Sequence, residues 1–489
     1  FGMHYIEGGY PASNPKDSEF FEAAAGIELV NSKLVAFGST RKALTSASRD
    51  KEMKALAGVA ANTVCIVGKS WDLHVEKALS ISLDENLYMI AESVKYLKKK
   101  DKEVLFDAEH FFDGYRENPA YALKTIEAAA EAGVDWVVLC DTNGGLLPHE
   151  IATVVKEVKA KTGVPLGIHA HNDSECAVAN TLEAVREGVN MVHGTVNGYG
   201  ERCGNANLCS VIPDLMLKMN VDCLPRDKLA GLNDLAHYVS ELANIHPDAH
   251  QPFVGMSAFA HKGGIHASGV KSEARTYEHI RPELVGNIQR IVVSELSGKS
   301  TLTLKAKELG FDLDANPEQL RDILKQIKEL EHVGYQFEAA DGSFEILVRK
   351  AVGTHKQFFK LESFRVIMEK REDGRVMTEA TVKIHVGGRR LIATAEGNGP
   401  VNALDRAIRI AIGRSFPALK DIELTDYKVR VLDEKKGTAA VTRVLIESGD
   451  GTKSWGTIGV SENIIEASWQ ALVDSIEFGL MHKKQEPDS

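Results

Sequence analysis

The stretch 165–173, PLGIHAHND, joins a short apolar run to a polar end, and this combination decides the fold. Residues 165–171 are typical of a buried β-strand, on which side chains two positions apart point to the same side. His169 and His171 are therefore expected to project together from the strand end. Two imidazoles so placed form a metal-ligand pattern. An isolated His-x-His is nevertheless a weak motif that fits two hydrogen-bonded histidines equally well.

A short apolar strand followed by a helical segment occurs seven times in the first 200 residues, and successive strands begin 25 to 40 residues apart. Strands that alternate with helices form a parallel sheet, and a regular run of this kind is typical of a (β/α)₈ TIM barrel in the α/β class. The predicted strands are 4–7, 33–37, 63–67, 103–106, 136–140, 165–169 and 190–194.

Seven strands are one fewer than a TIM barrel needs. We therefore expect the chain, which begins at Phe1, to lack the first βα unit of the barrel. An open, doubly wound sheet of seven strands is the alternative. No glycine-rich phosphate-binding fingerprint follows any of the strands to support that alternative.

Composition indicates a soluble protein of several domains. The 489 residues suffice for about two to four domains, since a domain usually has roughly 100–200 residues. The formal net charge of −11 argues against a nucleic-acid or anionic-membrane partner. No apolar run reaches the roughly 18 residues of a membrane span. The six cysteines are scattered, which favours reduced thiols and a cytoplasmic protein.

The pattern divides the chain into three regions. Residues 1–245 are predicted to form the catalytic barrel, and residues 246–355 a mainly helical linker whose subdomains complete the active site. Residues 356–482 are predicted to form an α+β domain in which a unit of three strands and a helix occurs twice. Gly397 and Gly459, which precede the two predicted helices, lie 62 residues apart.

The glycine-rich helix starts of this last region are candidate anion sites. Gly399-Pro400 places proline at the first helical position, where free N–H groups and the positive end of the helix dipole attract a carboxylate. The alternative is a tight turn that only begins a helix. We expect a regulatory amino-acid site that involves Gly399, Pro400, Asn402 and Ser461.

Polar side chains follow most of the predicted strands. Asn205 comes 36 residues after His169, one βα unit later, so we expect it at the same point of the barrel mouth. Two nitrogens and one oxygen then converge on a site for a divalent ion such as manganese, zinc, magnesium or cobalt. On the last strand, alternation predicts one shared face for His193, Thr195 and Asn197.

Other strand ends carry Glu7, Lys69, Asp72, Asp107, Glu109, His110, Asp141 and Thr142. Each of these alone is more simply a helix cap or an ion-pair partner. Together at the catalytic end of a barrel they favour an active site.

The motifs resemble those of the acyl-CoA-dependent 2-isopropylmalate, homocitrate and citramalate synthases. The resemblance extends from Phe1 to about Leu480, and its last part resembles the amino-acid-binding regulatory domain of that family. It rests on 169–173, HAHND; 195–205, TVNGYGERCGN; and 264–266, GIH. The stretches that look most like the citramalate-forming branch are 68–74, GKSWDLH; 107–115, DAEHFFDGY; and 334–338, GYQFE.

The resemblance implies a reaction, a cofactor and partners. That branch condenses acetyl-CoA with pyruvate and water to (R)-citramalate and CoA, the first step of a threonine-independent route to isoleucine. A divalent metal, a homodimer and feedback control by a branched-chain amino acid, isoleucine in this branch, are expected with it.

Other functions remain open from the sequence. Within the family, 2-isopropylmalate synthase, with 2-oxoisovalerate as acceptor, and homocitrate synthase are alternatives. A lyase that cleaves an acyl-CoA is less favoured, because lyase relatives generally lack the duplicated C-terminal domain. An alternative from another functional class is a catalytically silent metal- or amino-acid-binding protein, because the first barrel strand is missing.

The resemblance also implies metal ligands, namely His169, His171 and Asn205. Family members carry an Arg-Asp-Gly motif at the end of the first strand. Its aspartate completes the metal site and its arginine steadies the keto acid. This sequence does not contain the motif.

Five further residues receive roles from the resemblance. Thr142 would hydrogen-bond the keto-acid carboxylate, and Thr195 would also contact substrate. Glu109 would lie beside the acetyl group. His266 and Tyr277, from the segment after the barrel, would assist enolisation or thioester hydrolysis. For His266 the alternative is a loop histidine that is hydrogen-bonded to the backbone.

Overall fold

The computed structural model describes residues 1–261, 266, 269–270, 272–292, 299–308, 310–311, 317–432 and 440–483. The chain divides into two compact units. The first consists of Phe1–Phe259 and Ile280–Ile288, and the second of Ala260–His279 and Gln289–Ser489.

Seven strands of the first unit form one parallel sheet, in which each strand pairs with the next one along the chain. They are β1 (Tyr5–Gly9), β2 (Lys33–Ser39), β3 (Thr63–Lys69), β4 (Glu103–Glu109), β5 (Trp136–Asp141), β6 (Leu166–Ala170) and β7 (Met191–His193). The predicted barrel-type sheet of seven strands is confirmed. An eighth parallel strand in this sheet is not found among the described residues, and β1 and β7 form its edges.

Helices alternate with these strands, as the pattern predicts, and two further helices follow β7. They are α1 (Pro15–Ala24), α2 (Lys51–Gly58), α3 (Asp72–His74), α4 (Leu83–Lys98), α5 (Phe111–Glu117), α6 (Pro119–Glu131), α7 (Pro148–Lys161), α8 (Ala177–Arg186), α9 (Leu208–Pro213) and α10 (Leu232–Ala243). Side-chain caps fix several starts; for example, Asp50 accepts hydrogen bonds from the first turn of α2. Among the described helices, none has the length and apolar character needed to cross a membrane.

Alternation along the strands sends apolar side chains to both faces of the sheet. Phe106 of β4 belongs to the larger core, between the sheet and its helices. Leu105, one residue earlier, belongs to a smaller cluster with Val35 and Val138. Asp107 and Glu109 continue the Leu105 side of the strand, so both carboxylates face the same cleft as that smaller cluster.

The second unit contains a short parallel pair and two antiparallel sheets of three strands each. Its strands are β8 (Ala260–His261), β9 (Arg290–Ile291), β10 (Lys360–Lys370), β11 (Val376–Val386), β12 (Arg389–Gly397), β13 (Glu423–Val431), β14 (Thr442–Gly449) and β15 (Ser454–Ser461). Its helices are α11 (Lys299–Glu308), α12 (Pro317–His332), α13 (Asp341–Val352), α14 (Pro400–Ile412) and α15 (Ile464–His482). The helical linker and the duplicated unit of three strands and a helix are confirmed.

The two copies differ where their helices begin. No side chain caps α14, which starts at Pro400 after Gly399. At the start of α15, by contrast, the Asn463 side chain accepts hydrogen bonds from the N–H groups of Ile465 and Glu466. The repeated open helix start that we expected is therefore not found.

Two other predicted regulatory residues make local hydrogen bonds. Ser461 Oγ accepts a hydrogen bond from the backbone N–H of Asn463 at 3.1 Å. Asn402 Oδ1 accepts one from the backbone N–H of Asn398 at 3.2 Å. A regulatory role for these residues stays a prediction.

Candidate metal centre and active site

The ends of the strands in the first unit surround a cleft of about 1550 Å³. Carboxylate, imidazole, hydroxyl and amide groups line it together with apolar side chains. The predicted site residues on its wall are Glu109, Thr142, His169, His171, Thr195 and Asn205. The structure therefore brings these six residues to one cleft, although they are spread over four strands or strand ends.

His169 lies on β6 with its ring between two other histidines. Its Nε2 is 3.1 Å from Nε2 of His171, and its Nδ1 is 3.5 Å from Nδ1 of His193. Burial and then the neighbouring His193 lower the pKa of His169 to about 4. Burial also lowers the pKa of His193 to about 4. Both rings are therefore neutral at pH 7, which is the form that binds a metal.

Two buried oxygens in this region have no hydrogen-bond partner among the described residues: Asn205 Oδ1 and Asp107 Oδ1. Asn205 reaches the site because its backbone forms a bridge with that of His171. An unsatisfied buried acceptor costs roughly 1–3 kcal/mol, which a cation or a proton donor would offset. Neutral imidazoles and free oxygens together fit a divalent cation of borderline hardness.

Two overlapping donor sets share His169. The predicted set joins it to His171 and Asn205. The other set consists of Asp107, His169 and His193. A carboxylate oxygen of the first and one ring nitrogen of each histidine lie within 4.8 Å of one another. Because one nitrogen of His169 faces each set, the two sets use opposite sides of the same ring.

Arg202 ties the glycine-rich loop to the end of β6. Its Nη2 donates to His171 Nδ1 at 2.7 Å and to the carbonyl oxygen of Thr142 at 2.6 Å. Its Nε donates to Asp173 Oδ1 at 2.7 Å. A guanidinium can only donate, so the proton of neutral His171 is on Nε2 in this arrangement. A cation on Nε2 of His171 requires Arg202 to release Nδ1.

The loop after β7 departs from the predicted alternation. The strand ends at His193, and Asn197 adopts a left-handed backbone conformation with φ 65°. Its side-chain amide donates to the carbonyl oxygen of Ala236 at 2.8 Å and to Ser240 Oγ at 3.0 Å, both on α10. The prediction that Asn197 shares the face of His193 is therefore wrong, because the left-handed turn ends the alternation.

Thr195 and Thr142 both line the cleft, but their hydroxyl groups are used differently. Thr195 Oγ1 donates to the carbonyl oxygen of Tyr199 at 2.6 Å, so its proton holds the loop together. Thr142 Oγ1 instead accepts a hydrogen bond from the backbone N–H of His110 at 2.9 Å. Its own proton can therefore be donated to a ligand in the cleft.

Glu109, at the end of β4, forms an ion pair with Nζ of Lys69 at the end of β3. The register of the two strands places these residues directly opposite each other. The ammonium group neutralises the carboxylate locally and fixes its direction beside the cleft.

His266 and Tyr277 belong to the second unit and contact each other there. Their rings are stacked with centroids 4.1 Å apart and an angle of 23° between their planes. Tyr277 also meets His261 edge-on, and His261 is hydrogen-bonded to Glu278 at 3.2 Å. Gly264 and Ile265 of the predicted motif lie outside the described residues.

The sequence reasoning did not assign roles to Asp107, His193 or Glu7 in the site. Glu7 is open to the cleft but surrounded by protein, and desolvation and then Asp107 raise its pKa to about 7. Of the three, alternation predicted a direction only for His193, on the same face as Thr195. What was missing was the register, which places His193 directly opposite His169.

Comparison with protein families divides the chain into three matched segments. Residues 1–235 match the HMGL-like family, and residues 253–334 match the homocitrate synthase post-HMGL domain-like family. Residues 338–480 match the LeuA allosteric (dimerisation) domain.

Similarity to individual proteins covers almost the whole chain. An (R)-citramalate synthase of Geobacter sulfurreducens is 54% identical over 99% of this chain and 92% of its own length. The (R)-citramalate synthase of Aquifex aeolicus is 53% identical over the same shares of the two chains. A probable 2-isopropylmalate synthase of Methanopyrus kandleri is 32% identical over 97% of this chain and 91% of its own length. The chain therefore belongs to the (R)-citramalate synthase family.

Proposed function

We propose that the protein condenses acetyl-CoA with pyruvate and water to give (R)-citramalate and CoA. The observation that carries this proposal is the 54% identity over 99% of the chain to an (R)-citramalate synthase, against 32% to a probable 2-isopropylmalate synthase. The cleft supports it independently, because it combines candidate metal ligands, a carboxylate paired with an ammonium group and a free hydroxyl donor. Such a set suits carbon–carbon bond formation at a carbonyl.

His169, His171 and Asn205 would hold a divalent cation, manganese, zinc, magnesium or cobalt. When bound there, the cation makes the ketone carbon of pyruvate more electrophilic. The free Oδ1 of Asn205 and the neutral His169 support this ligand set. Thr142 would donate its free hydroxyl proton to the pyruvate carboxylate, and Thr195 would form the adjoining wall.

Glu109 would take the proton that leaves the methyl group of acetyl-CoA, which makes it the catalytic base. Its pairing with Lys69 supports this role, since the ammonium group holds the carboxylate in a fixed direction. The methyl carbon then bonds to the ketone carbon, and the ketone oxygen gains a proton. Water cleaves the thioester and releases CoA as the thiol. His266 and Tyr277 would assist enolisation or this hydrolysis.

The organisation of the chain enters the proposal as well. Residues 1–245 would be the catalytic domain, 246–355 the linker and accessory subdomains, and 356–482 the regulatory and dimerising domain. The match to the LeuA allosteric (dimerisation) domain supports a homodimer with an amino-acid effector. Isoleucine is the effector we propose, bound near Gly399 and Pro400, in a cytoplasmic enzyme.

The reaction is tested by measuring CoA release from acetyl-CoA with Mn²⁺ and each of three keto acids. We expect kcat/KM for pyruvate to exceed that for 2-oxoisovalerate and 2-oxoglutarate by at least about tenfold, since each added methylene is worth roughly 1–3 kcal/mol in a small pocket. Faster release with 2-oxoisovalerate would assign the chain to the isopropylmalate reaction. If no CoA is released with any of the three keto acids, the alternative of a catalytically silent binding protein is favoured.

A matched pair of variants tests the pyruvate contact. Thr142→Val keeps the size of the side chain and removes its hydroxyl, so we expect KM for pyruvate to rise about tenfold or more. Thr153→Val on the exposed side of α7 is the control. Inhibition by isoleucine, compared with leucine and valine, tests the effector in the same assay.

A further inference from the structure

We infer that Asp107 and His193 are positioning residues that hold the His169 ring with its Nε2 towards the metal, and that they are not metal ligands themselves. The inference rests on the proposed metal site at His169, His171 and Asn205. In this interpretation, Asp107 and His193 orient the His169 ring, while His169, His171 and Asn205 bind the metal.

The two nitrogens of His169 face different surroundings. Nε2 is on the side of His171, at 3.1 Å from its Nε2. Nδ1 is on the side of His193, at 3.5 Å from its Nδ1. A neutral imidazole has one N–H and one lone pair, so only the nitrogen without a proton can bind a cation. The group that accepts the proton of Nδ1 therefore decides whether Nε2 is available.

Two acceptors stand at the Nδ1 side. His193 Nδ1 is one, and it lies 3.9 Å from Oδ1 of Asp107. The Asp107 carboxylate is the other, because its oxygen, a ring nitrogen of His169 and a ring nitrogen of His193 lie within 4.8 Å of one another. Its Oδ1 is buried and has no hydrogen-bond partner among the described residues. A proton on His169 Nδ1 is attracted by both, whereas a lone pair there would face a carboxylate. Histidine ligands of metals commonly have such an acceptor on the second ring nitrogen.

The surroundings of Asp107 argue against a metal on this side. Asp107 lies near the buried thiols of Cys65 and Cys140. Both cysteines belong to a buried cluster with Leu105 and other apolar side chains. A catalytic metal needs open positions for its substrate. The His171 and Asn205 side, where the strands end, offers polar ligands at the mouth of the cleft.

Co²⁺ binding to the purified protein tests the inference without any assay of activity. Affinity is measured by competition with a chelator, and bound imidazoles are counted by X-ray absorption spectroscopy. We expect two imidazoles in the unchanged protein. His193→Gln and Asp107→Asn should weaken Co²⁺ binding about 10- to 100-fold and leave two imidazoles bound. Cys140→Ala, a change in the same buried cluster, should leave the affinity within about twofold.

His171→Ala separates this inference from the proposed metal site. We expect it to reduce the imidazole count to one. If instead His193→Gln reduces the count to one and His171→Ala keeps two, the metal lies at Asp107, and the inference is wrong while metal binding stands. An unchanged affinity in both His193→Gln and Asp107→Asn also overturns it. Absence of Co²⁺ binding by the unchanged protein would remove the proposed metal site itself, and the inference with it.

Discussion

Two buried polar clusters of this protein differ in how completely their atoms are hydrogen-bonded. In the second unit, Asp474 on α15 accepts a hydrogen bond from Ser343 on α13 at 2.7 Å. At the strand ends of the first unit, Asp107 Oδ1 and Asn205 Oδ1 have no such partner within the described part of the chain. Burial of an unpaired polar atom costs free energy. The cluster around Asp474 avoids this cost because its atoms are hydrogen-bonded, so it is compatible with a stable fold. The cluster of Asp107 and Asn205 bears this cost, and its unpaired oxygens are available to a ligand.

The contrast extends to the other ionisable groups between α13 and α15. Glu345, with only 3% of its side chain exposed, accepts hydrogen bonds from Arg349 at 2.7 Å and His482 at 2.9 Å. Glu477 contacts Nε2 of His355 at 2.9 Å. The difference teaches that burial of charge alone does not mark a functional site. Burial without a partner is the more informative signal.

The largest effect that the comparison predicts is on activity. His171→Ala should lower kcat/KM for CoA release by about 10³-fold, since metal assistance contributes several kcal/mol and each 1.4 kcal/mol is about tenfold. The melting temperature should change by less than about 2 °C, because Arg202, which loses its bond to His171, keeps its bonds to Asp173 and to the carbonyl oxygen of Thr142. Calorimetry checks the second part, with the exposed His149→Ala on α7 as control. A large loss of thermal stability would contradict the comparison.

Stability should respond next, in the paired cluster. Glu345→Ala should destabilise the second unit by about 2–4 kcal/mol, because it leaves Arg349 without its carboxylate partner next to a buried core. The catalytic constant kcat should not change. The exposed ion pair of Glu362 with Arg390 supplies the control, since solvent screens this pair and Glu362→Ala should leave the melting temperature nearly unchanged. Equal shifts in melting temperature for both variants would contradict this prediction.

The third effect depends on pH. Burial raises the pKa of Glu477 to about 7, above its ordinary value in the unfolded chain. The stability from its neutral form is present at low pH and is lost as pH rises towards 7. Glu477→Gln should therefore raise the melting temperature at pH 8 by a few degrees, and the difference should vanish near pH 5. Burial also lowers the pKa of His355, which acts in the opposite direction. Because His355 contacts Glu477, the comparison is repeated with His355→Gln in both proteins. A difference that is constant between pH 5 and 8 would refute the assignment.

The smallest effect concerns the two helix starts of the duplicated domain. Asn463→Ala should cost about 1 kcal/mol, because it removes the acceptor for two N–H groups of α15. Asn463→Asp keeps the acceptor and is the control. Amino-acid inhibition should be unchanged in both variants, whereas changes near Gly399, where no side chain caps the helix, should alter it. If only Asn463→Ala loses inhibition, the effector binds at the start of α15 and not near Gly399.

Much of the fold could be predicted because the spacing of apolar residues distinguishes strands from helices. All seven parallel strands begin within a few residues of their predicted positions. The least accurate ends are polar ones. The strand β4 continues to Glu109, whereas the prediction stopped at residue 106, because polar residues at a strand end resemble a loop in sequence.

The site was less predictable, because it depends on register and on loop conformation. His169 and His171 follow from alternation within one strand. The contact of His169 with His193 and Asp107 requires the pairing of β6 with β7 and the closeness of β4, which no local pattern encodes. The contact of Arg202 with His171 depends on a loop with several left-handed residues, including Arg202 itself at φ 52°.

The hydrogen bonds of Asn197 to α10 have a consequence for the thermodynamics of ligand binding. They fasten the loop that carries Asn205 to a helix with a packed core of its own. The conformational entropy of this loop is therefore lost when the chain folds, not when a substrate or cation arrives. Affinity at the cleft is increased by that preorganisation, without any additional contact to the bound molecule.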